Sequence, residues 1–208
     1  GIMFNYAMPS TIEKPISDVL GYSLGILVKY YRCNQKHVEH VVNLSVQLFK
    51  QLRVLHKFPR QYLKILKVAA TLHDSGETVK YYDYHKHSAY IILNSHLYGI
   101  THREIVLASF VCIAYKSDDF NMSDWAKYKE YITEDDLEAI RKLGIMLHIA
   151  ESLDRSMSGC VSGLNCDVLG DSVIMKTEVD GDASLEIKDA LNTSADFKRI
   201  FKKNLEIL

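Results

Sequence analysis

Proline stands at positions 9, 15 and 59 and nowhere beyond, so most of this 208-residue chain contains nothing that forbids a helix interior. Residues 17–32 and 35–56 read as helices, the second carrying His37, Val41, Leu44, Leu48 and Leu52 along one stripe. Pro59 suits the first turn of the next helix, which runs to His73 and meets its stop at Gly76. Residues 77–86 are polar and aromatic, a loop able to line a cleft, and helices near 87–98 and 102–116 follow with Gly99 between them. Lys116 to Lys129, with Trp125, reads as a loop. Thr133, followed by three acidic residues, then opens a helix of about 20 residues ending near Ser158-Gly159. From Cys166 the pattern changes. Val173–Val179 and Ser184–Ile187 are β-prone runs separated by Asp180-Gly181-Asp182, which reads as a hairpin, and a short helix closes the chain. The expected fold is mainly α, a helical bundle with a small C-terminal α+β appendage.

Net charge is −1, from 25 basic and 26 acidic residues. That balance argues against non-specific binding to nucleic acid or to a membrane surface, both of which favour a basic excess. No apolar run approaches the length of a membrane span, and the first 30 residues lack a signal-peptide layout. Cys33, Cys112, Cys160 and Cys166 show no C-x-x-C spacing, so reduced thiols in a cytoplasmic protein are expected.

The pair His73-Asp74 closes an apolar helical run, with Glu77 three residues on. Inside a regular helix, neighbouring side chains diverge by about 100°. At a helix end both can turn toward one divalent cation. His37 and Glu151 also lie in strongly apolar segments, and a buried charge is costly unless paired or metal-bound. A common metal site explains all four. The competing reading is a set of unrelated polar residues, each satisfied by its own hydrogen bond.

The order His37, His73-Asp74, Glu151 resembles the HD superfamily of metal-dependent phosphohydrolases, whose signature is His, then His-Asp, then a distant Asp. The stretch from His37 to Val41 is similar to the family's H-x-x-x-V helix, and Ala69 to Gly76 to its A-x-L-H-D-x-G turn. Ile149 to Ser156 resembles the I-A-D-x-L-D-R-S element, except that Glu151 stands where the ligand Asp is expected. Asp154, one turn on, is the alternative ligand.

A narrower resemblance covers most of the chain. His85 to Ser95 is similar to the H-x-H-S-x-Y-L-I-x-N-S block of exopolyphosphatase/guanosine pentaphosphate phosphatase (Ppx/GppA) proteins. Ser17 to Leu27 sits where that family has S-x-x-G-L-R-E-G-L-L, with Ser23 and Leu24 in place of Arg and Glu. The resemblance implies a junction remnant at 1–16, an HD-domain-like bundle at 17–160 and an α+β subdomain at 161–208. It also implies a homodimer, and an actin-like phosphatase module whose Gly-rich phosphate loops are absent from these residues.

Imidazole and carboxylate ligands suit a divalent metal, Mn, Fe, Mg or Zn, and ligand type alone does not choose among them. In the resemblance His37, His73, Asp74 and Glu151 hold the metal, Asp74 also serves catalysis, and Glu77 handles the proton of the attacking water. His85 and His87 stand two apart and cannot share a helix face, so only one is expected to point into the site, toward a second metal or a phosphate oxygen, while His87 at a helix start equally suits a structural cap or a supporting role behind the ligands. Lys86, Arg103 and Arg155 are candidate phosphate partners, with a plain salt bridge as the competing reading for each. His148 is placed to orient a ligand. Tyr81, Tyr82, Tyr84 and Tyr90 either stack on a base or pack. The expected activity is hydrolysis of a phosphate ester or anhydride, namely polyphosphate, a guanosine polyphosphate or a nucleotide. The alternative is a non-catalytic domain for polyphosphate or nucleotide binding and dimerisation.

Overall fold

The computed structural model describes residues 16–116 and 127–208. The segment before residue 16 and the loop with Trp125 therefore lie outside the described residues. Six helices lead: α1 (Val19–Tyr30), α2 (Gln35–Gln51), the short α3 (Arg53–His56), α4 (Gln61–Leu72), α5 (Tyr84–Asn94) and α6 (His102–Ala114). A 3-10 turn, Ser75–Thr78, links α4 to α5. Then come α7 (Glu134–Ser152), strands β1 (Val161–Leu169) and β2 (Ser172–Val179), helices α8 (Ser184–Leu191) and α9 (Ser194–Phe201), and β3 (Asn204–Ile207). No helix among the described residues is long and apolar enough to cross a membrane.

Two of the helix starts show their capping chemistry directly. Asn34 starts α2 by accepting the His37 N–H at 3.4 Å. Thr101 and Glu104 close a capping box on α6. The α2 stripe does what its spacing predicts, since Val41, Leu44, Leu48 and Leu52 are wholly buried. They meet Ile65, Leu66, Val68 and Leu72 of α4, and Met146, Leu147 and Ile149 of α7. The C-terminal half of α7, from Leu143 to Ala150, is buried nearly all round and is correspondingly central. It approaches α6 closely enough that a Cβ on Gly144 would stand 3.0 Å from that of Ala114. The same apolar cluster continues through Val161 and Leu164 of β1 and Val173 and Met175 of β2 to Phe197, Phe201 and Leu205.

The sheet is where the sequence expectation needs correction. β1 and β2 pair antiparallel from Val161 with Val179 to Leu169 with Ser172, so the hairpin turns at Gly170-Asp171, not at Asp180-Gly181-Asp182. Ser184–Ile187 is the start of α8, not a strand. Asp182 explains the change by accepting from both the N–H and the hydroxyl of Ser184, which favours a helix start over a hairpin. β1 was masked by Gly163, Asn165 and Asp167, all poor strand formers. β3 adds parallel to β2, in the order β1-β2-β3. On the bundle side Gln47 of α2 accepts the Leu164 N–H at 3.0 Å, beside the register shift at Gly163.

At the N-terminus of α7, Asp136 ties three elements together. It accepts from the Thr133 N–H and hydroxyl, the Tyr62 hydroxyl at 2.8 Å and the Arg103 guanidinium at 2.6 and 2.8 Å. Arg103→Gln is expected to cost about 1–2 kcal/mol, read as a lower urea midpoint, while metal content stays as in wild type.

Candidate metal centre

Three helix ends bring the site together. His37 stands in the first turn of α2, His73 and Asp74 follow the last turn of α4, and Glu151 and Asp154 flank the end of α7. Asp74 has left regular helix geometry. Its Oδ1 lies 3.2 Å from His73 Nε2 and its Oδ2 lies 3.3 Å from His37 Nε2. One ligand atom from each of His37, His73 and Asp74 lies within 4.8 Å of the other two, the spacing a shared cation needs.

Both imidazoles are aimed by their other nitrogen. His37 Nδ1 is hydrogen-bonded to Asp154 Oδ2 at 2.7 Å, and His73 Nδ1 donates to the Ala70 carbonyl at 2.8 Å. Such outer partners fix the ring and leave Nε2 as the ligand. His73 Nε2 is fully buried and, among the described residues, is left without a well-formed hydrogen bond, with Asp74 Oδ1 3.2 Å away. An orphaned acceptor of this kind is costly unless something else satisfies it. Two imidazole nitrogens and one carboxylate, once the rings are deprotonated, fit a divalent cation.

Electrostatics point the same way. Burial would lower the His37 pKa, but the hydrogen bonds to Asp154 and Asp74 outweigh it and raise the group to about 9. Burial would raise Asp74, yet the charges of His73 and His37 hold its carboxyl well below the usual range. A proton on His37 thus does electrostatically what a cation would do.

The remaining predicted residues divide. Glu151 is buried beside the three-residue group but outside it, with Oε2 2.8 Å from Lys116 Nζ and Oε1 3.0 Å from Arg155 Nη1. Asp154 is committed to His37 and to the Gly159 N–H at 2.9 Å, so it braces a ligand. Glu77 is an exposed residue of the 3-10 turn, its carboxyl pushed up by burial of the acid group and by Asp74. His85 is buried with Nε2 unpartnered among the described residues, and burial pushes its pKa down. His87 is half-buried against Gly76, and Lys86 is exposed and paired with Asp83 at 3.2 Å. Arg103 is not brought to the group. It begins α6, about 18 Å along the helix from Tyr115.

Sequence reasoning missed Lys116, Tyr115 and the role of Ser88. Tyr115 is fully buried with its ring edge-on to His73, and its hydroxyl donates to that of Tyr84 at 2.9 Å. Ser88 donates to the His73 carbonyl at 2.5 Å and accepts the Gly76 N–H at 2.8 Å, so α5 locks the turn that carries the pair. Only Ser88 had a visible signal, inside the His85–Ser95 block.

Comparison with known proteins adds a family. A model described as Ppx/GppA phosphatase, domain III, matches residues 22–194. Among curated proteins, a guanosine-5'-triphosphate,3'-diphosphate pyrophosphatase of Aeromonas hydrophila is 30% identical over 102 residues, which is 49% of this chain and 20% of that protein. One of Pseudoalteromonas translucida is 29% identical over 105 residues, 49% of this chain and 21% of that protein. The matched segment is thus about a fifth of these relatives' own length.

Proposed function

The chain belongs to the Ppx/GppA phosphatase family through its domain III, and on that footing we propose that it is a divalent-metal-dependent phosphohydrolase domain acting on a phosphate ester or anhydride. The observation that carries this is the buried Nε2 of His73, without a well-formed hydrogen bond among the described residues and grouped with Asp74 and His37 at metal-ligand spacing. His37, His73 and Asp74 would hold the ion, and Asp154 and the Ala70 carbonyl would keep both rings in the ligating tautomer. The ion would supply Lewis acidity toward water and the phosphoryl group. Glu77, at the exposed rim with a raised pKa, would accept the proton of the attacking water. Substrates in keeping with the family are a guanosine polyphosphate, a polyphosphate end or a nucleotide.

A second reading rests on Glu151. Its carboxylate is engaged by Lys116 and Arg155 and not by the metal group, as suits a non-catalytic binding and dimerisation domain beside an actin-like module. Manganese titration followed by a phosphatase screen separates the two. Stoichiometric metal with turnover supports the enzyme, and no metal uptake at any pH removes it.

The same titration carries a pH prediction. His37 must lose its proton to ligate, and that proton leaves the metal-free protein only near pH 9. Apparent metal affinity should therefore climb by up to about tenfold per pH unit toward pH 9 and then level. The sign reverses for the stability of the metal-free protein. A His whose folded pKa is raised contributes fully below its unfolded value of 6.5 and loses that contribution as pH rises through about 9. Melting of chelator-treated protein across this window checks it, and a midpoint that rises with pH there would contradict the His37 clamp.

A further inference from the structure

We propose that Tyr84, Lys116 and Arg155 form a phosphate-binding subsite beside the metal group, and that Glu151 occupies it as an internal stand-in which an incoming phosphate displaces. The proposal rests on the reading that the site takes a phosphorylated ligand, but not on metal binding.

The argument starts from how Glu151 is held. Its side chain is only 6% exposed, and each of its oxygens faces a cation, Lys116 Nζ at 2.8 Å and Arg155 Nη1 at 3.0 Å. The cations come from different elements, one just beyond α6 and the other just beyond α7, and both reach toward solvent while the carboxylate lies beneath. One carboxylate thus faces two positive groups, with Asp189 as a second, more distant negative charge beside Arg155. Arg155 spends a single nitrogen on Glu151, and its Nε is 4.0 Å from Asp189. Its fork retains the capacity for a bidentate contact, the geometry at which guanidinium recognises phosphate.

Tyr84 completes the subsite. Its hydroxyl accepts from Tyr115, and among the described residues its own proton has no acceptor. Burial keeps that hydroxyl protonated, and the carboxylates of Glu151, Asp74 and Glu77 all act on it in the same sense. The Lys116 ammonium lies 5.2 Å from the centre of the Tyr115 ring, so Tyr84, Tyr115, Lys116, Glu151 and Arg155 form one contiguous chain of contacts. A neutral O–H donor, an ammonium and a guanidinium along one run of contacts are the donor types that suit a phosphoryl group. A dianion with several oxygens can engage all three donors, whereas the Glu151 carboxylate engages the two cations.

The test is calorimetric titration of inorganic phosphate and of pyrophosphate into chelator-treated full-length protein, with circular dichroism of every variant. Glu151→Gln removes the stand-in and is expected to tighten binding by about tenfold or more, whereas Lys116→Gln and Tyr84→Phe each weaken it by about tenfold. Tightening in one variant and weakening in the others cannot both come from damaged folding. The proposal is overturned if Glu151→Gln binds no tighter than wild type, or if well-folded Tyr84→Phe binds as wild type does. Silence of wild type and Glu151→Gln alike overturns it too. Because metal is absent throughout, this result is independent of the metal reading. Protein that takes up manganese and hydrolyses a phosphate ester yet fails here loses the subsite and keeps the centre.

Discussion

Asp74→Ala should remove stoichiometric metal binding and leave the helical fold in place. Among the described residues, Asp74 is the only side chain whose oxygens lie near both ligating nitrogens, at 3.2 Å from His73 Nε2 and 3.3 Å from His37 Nε2. Without it two neutral imidazoles face each other and no negative charge remains within the group to balance a dication. Changing a mere outer partner of a metal ligand costs about 10–100-fold in affinity, so losing the ligand itself should cost more. The fold should survive because the Asp74 side chain caps no helix. Elemental analysis beside circular dichroism reads both halves of the result. If the folded variant carries as much metal as wild type, the ligand assignment is wrong.

Gly76→Ala should have the largest effect on stability. A Cβ at this position would stand 2.1 Å from the Tyr84 carbonyl oxygen, 2.5 Å from the Ser88 nitrogen and 2.8 Å from the His87 Cβ. Two of those atoms are backbone, so no side chain can swing away. The turn would have to part from α5, and Ser88 would lose its hold on the His73 carbonyl and the Gly76 N–H. Overpacking usually costs about 1–3 kcal/mol, and two broken buried hydrogen bonds add to it. A loss of roughly 4 kcal/mol, seen as a large shift in the urea midpoint together with weakened metal binding, is the expected outcome. An unchanged midpoint would mean that the turn does not need this close approach.

The helices were most legible where they carried a periodic apolar stripe with polar ends. The stripe from His37 to Leu52 is the clearest case, and Gly76 and Thr133 marked boundaries close to where they fall. The sheet was less legible. Strand β1 depends on α2 covering one face and on Gln47 satisfying its backbone, and neither partner is near it in sequence. At the site, His37, His73 and Asp74 could be named because two of them are adjacent and the third sits on an apolar face. Lys116 could not, since it follows α6 and touches Glu151 only through the tertiary fold. Arg103 shows the converse. A cation near an apolar helix looks like a phosphate partner, but α6 carries it to Asp136 at the far end of the bundle.

The ligands of the proposed centre come from the beginning of one helix and the end of another, with a brace from a third far downstream. A cation seated there would act as a cross-link between stretches of chain that the unfolded state keeps far apart. Closing such long loops in advance removes entropy from the unfolded chain, as a disulfide does, with the difference that this tie comes off with a chelator. Metal loading would then be felt well beyond the ligands. Amides of α2 and α4 would exchange more slowly with solvent as the ion's concentration rises, and the bundle's resistance to unfolding would follow the supply of metal around it.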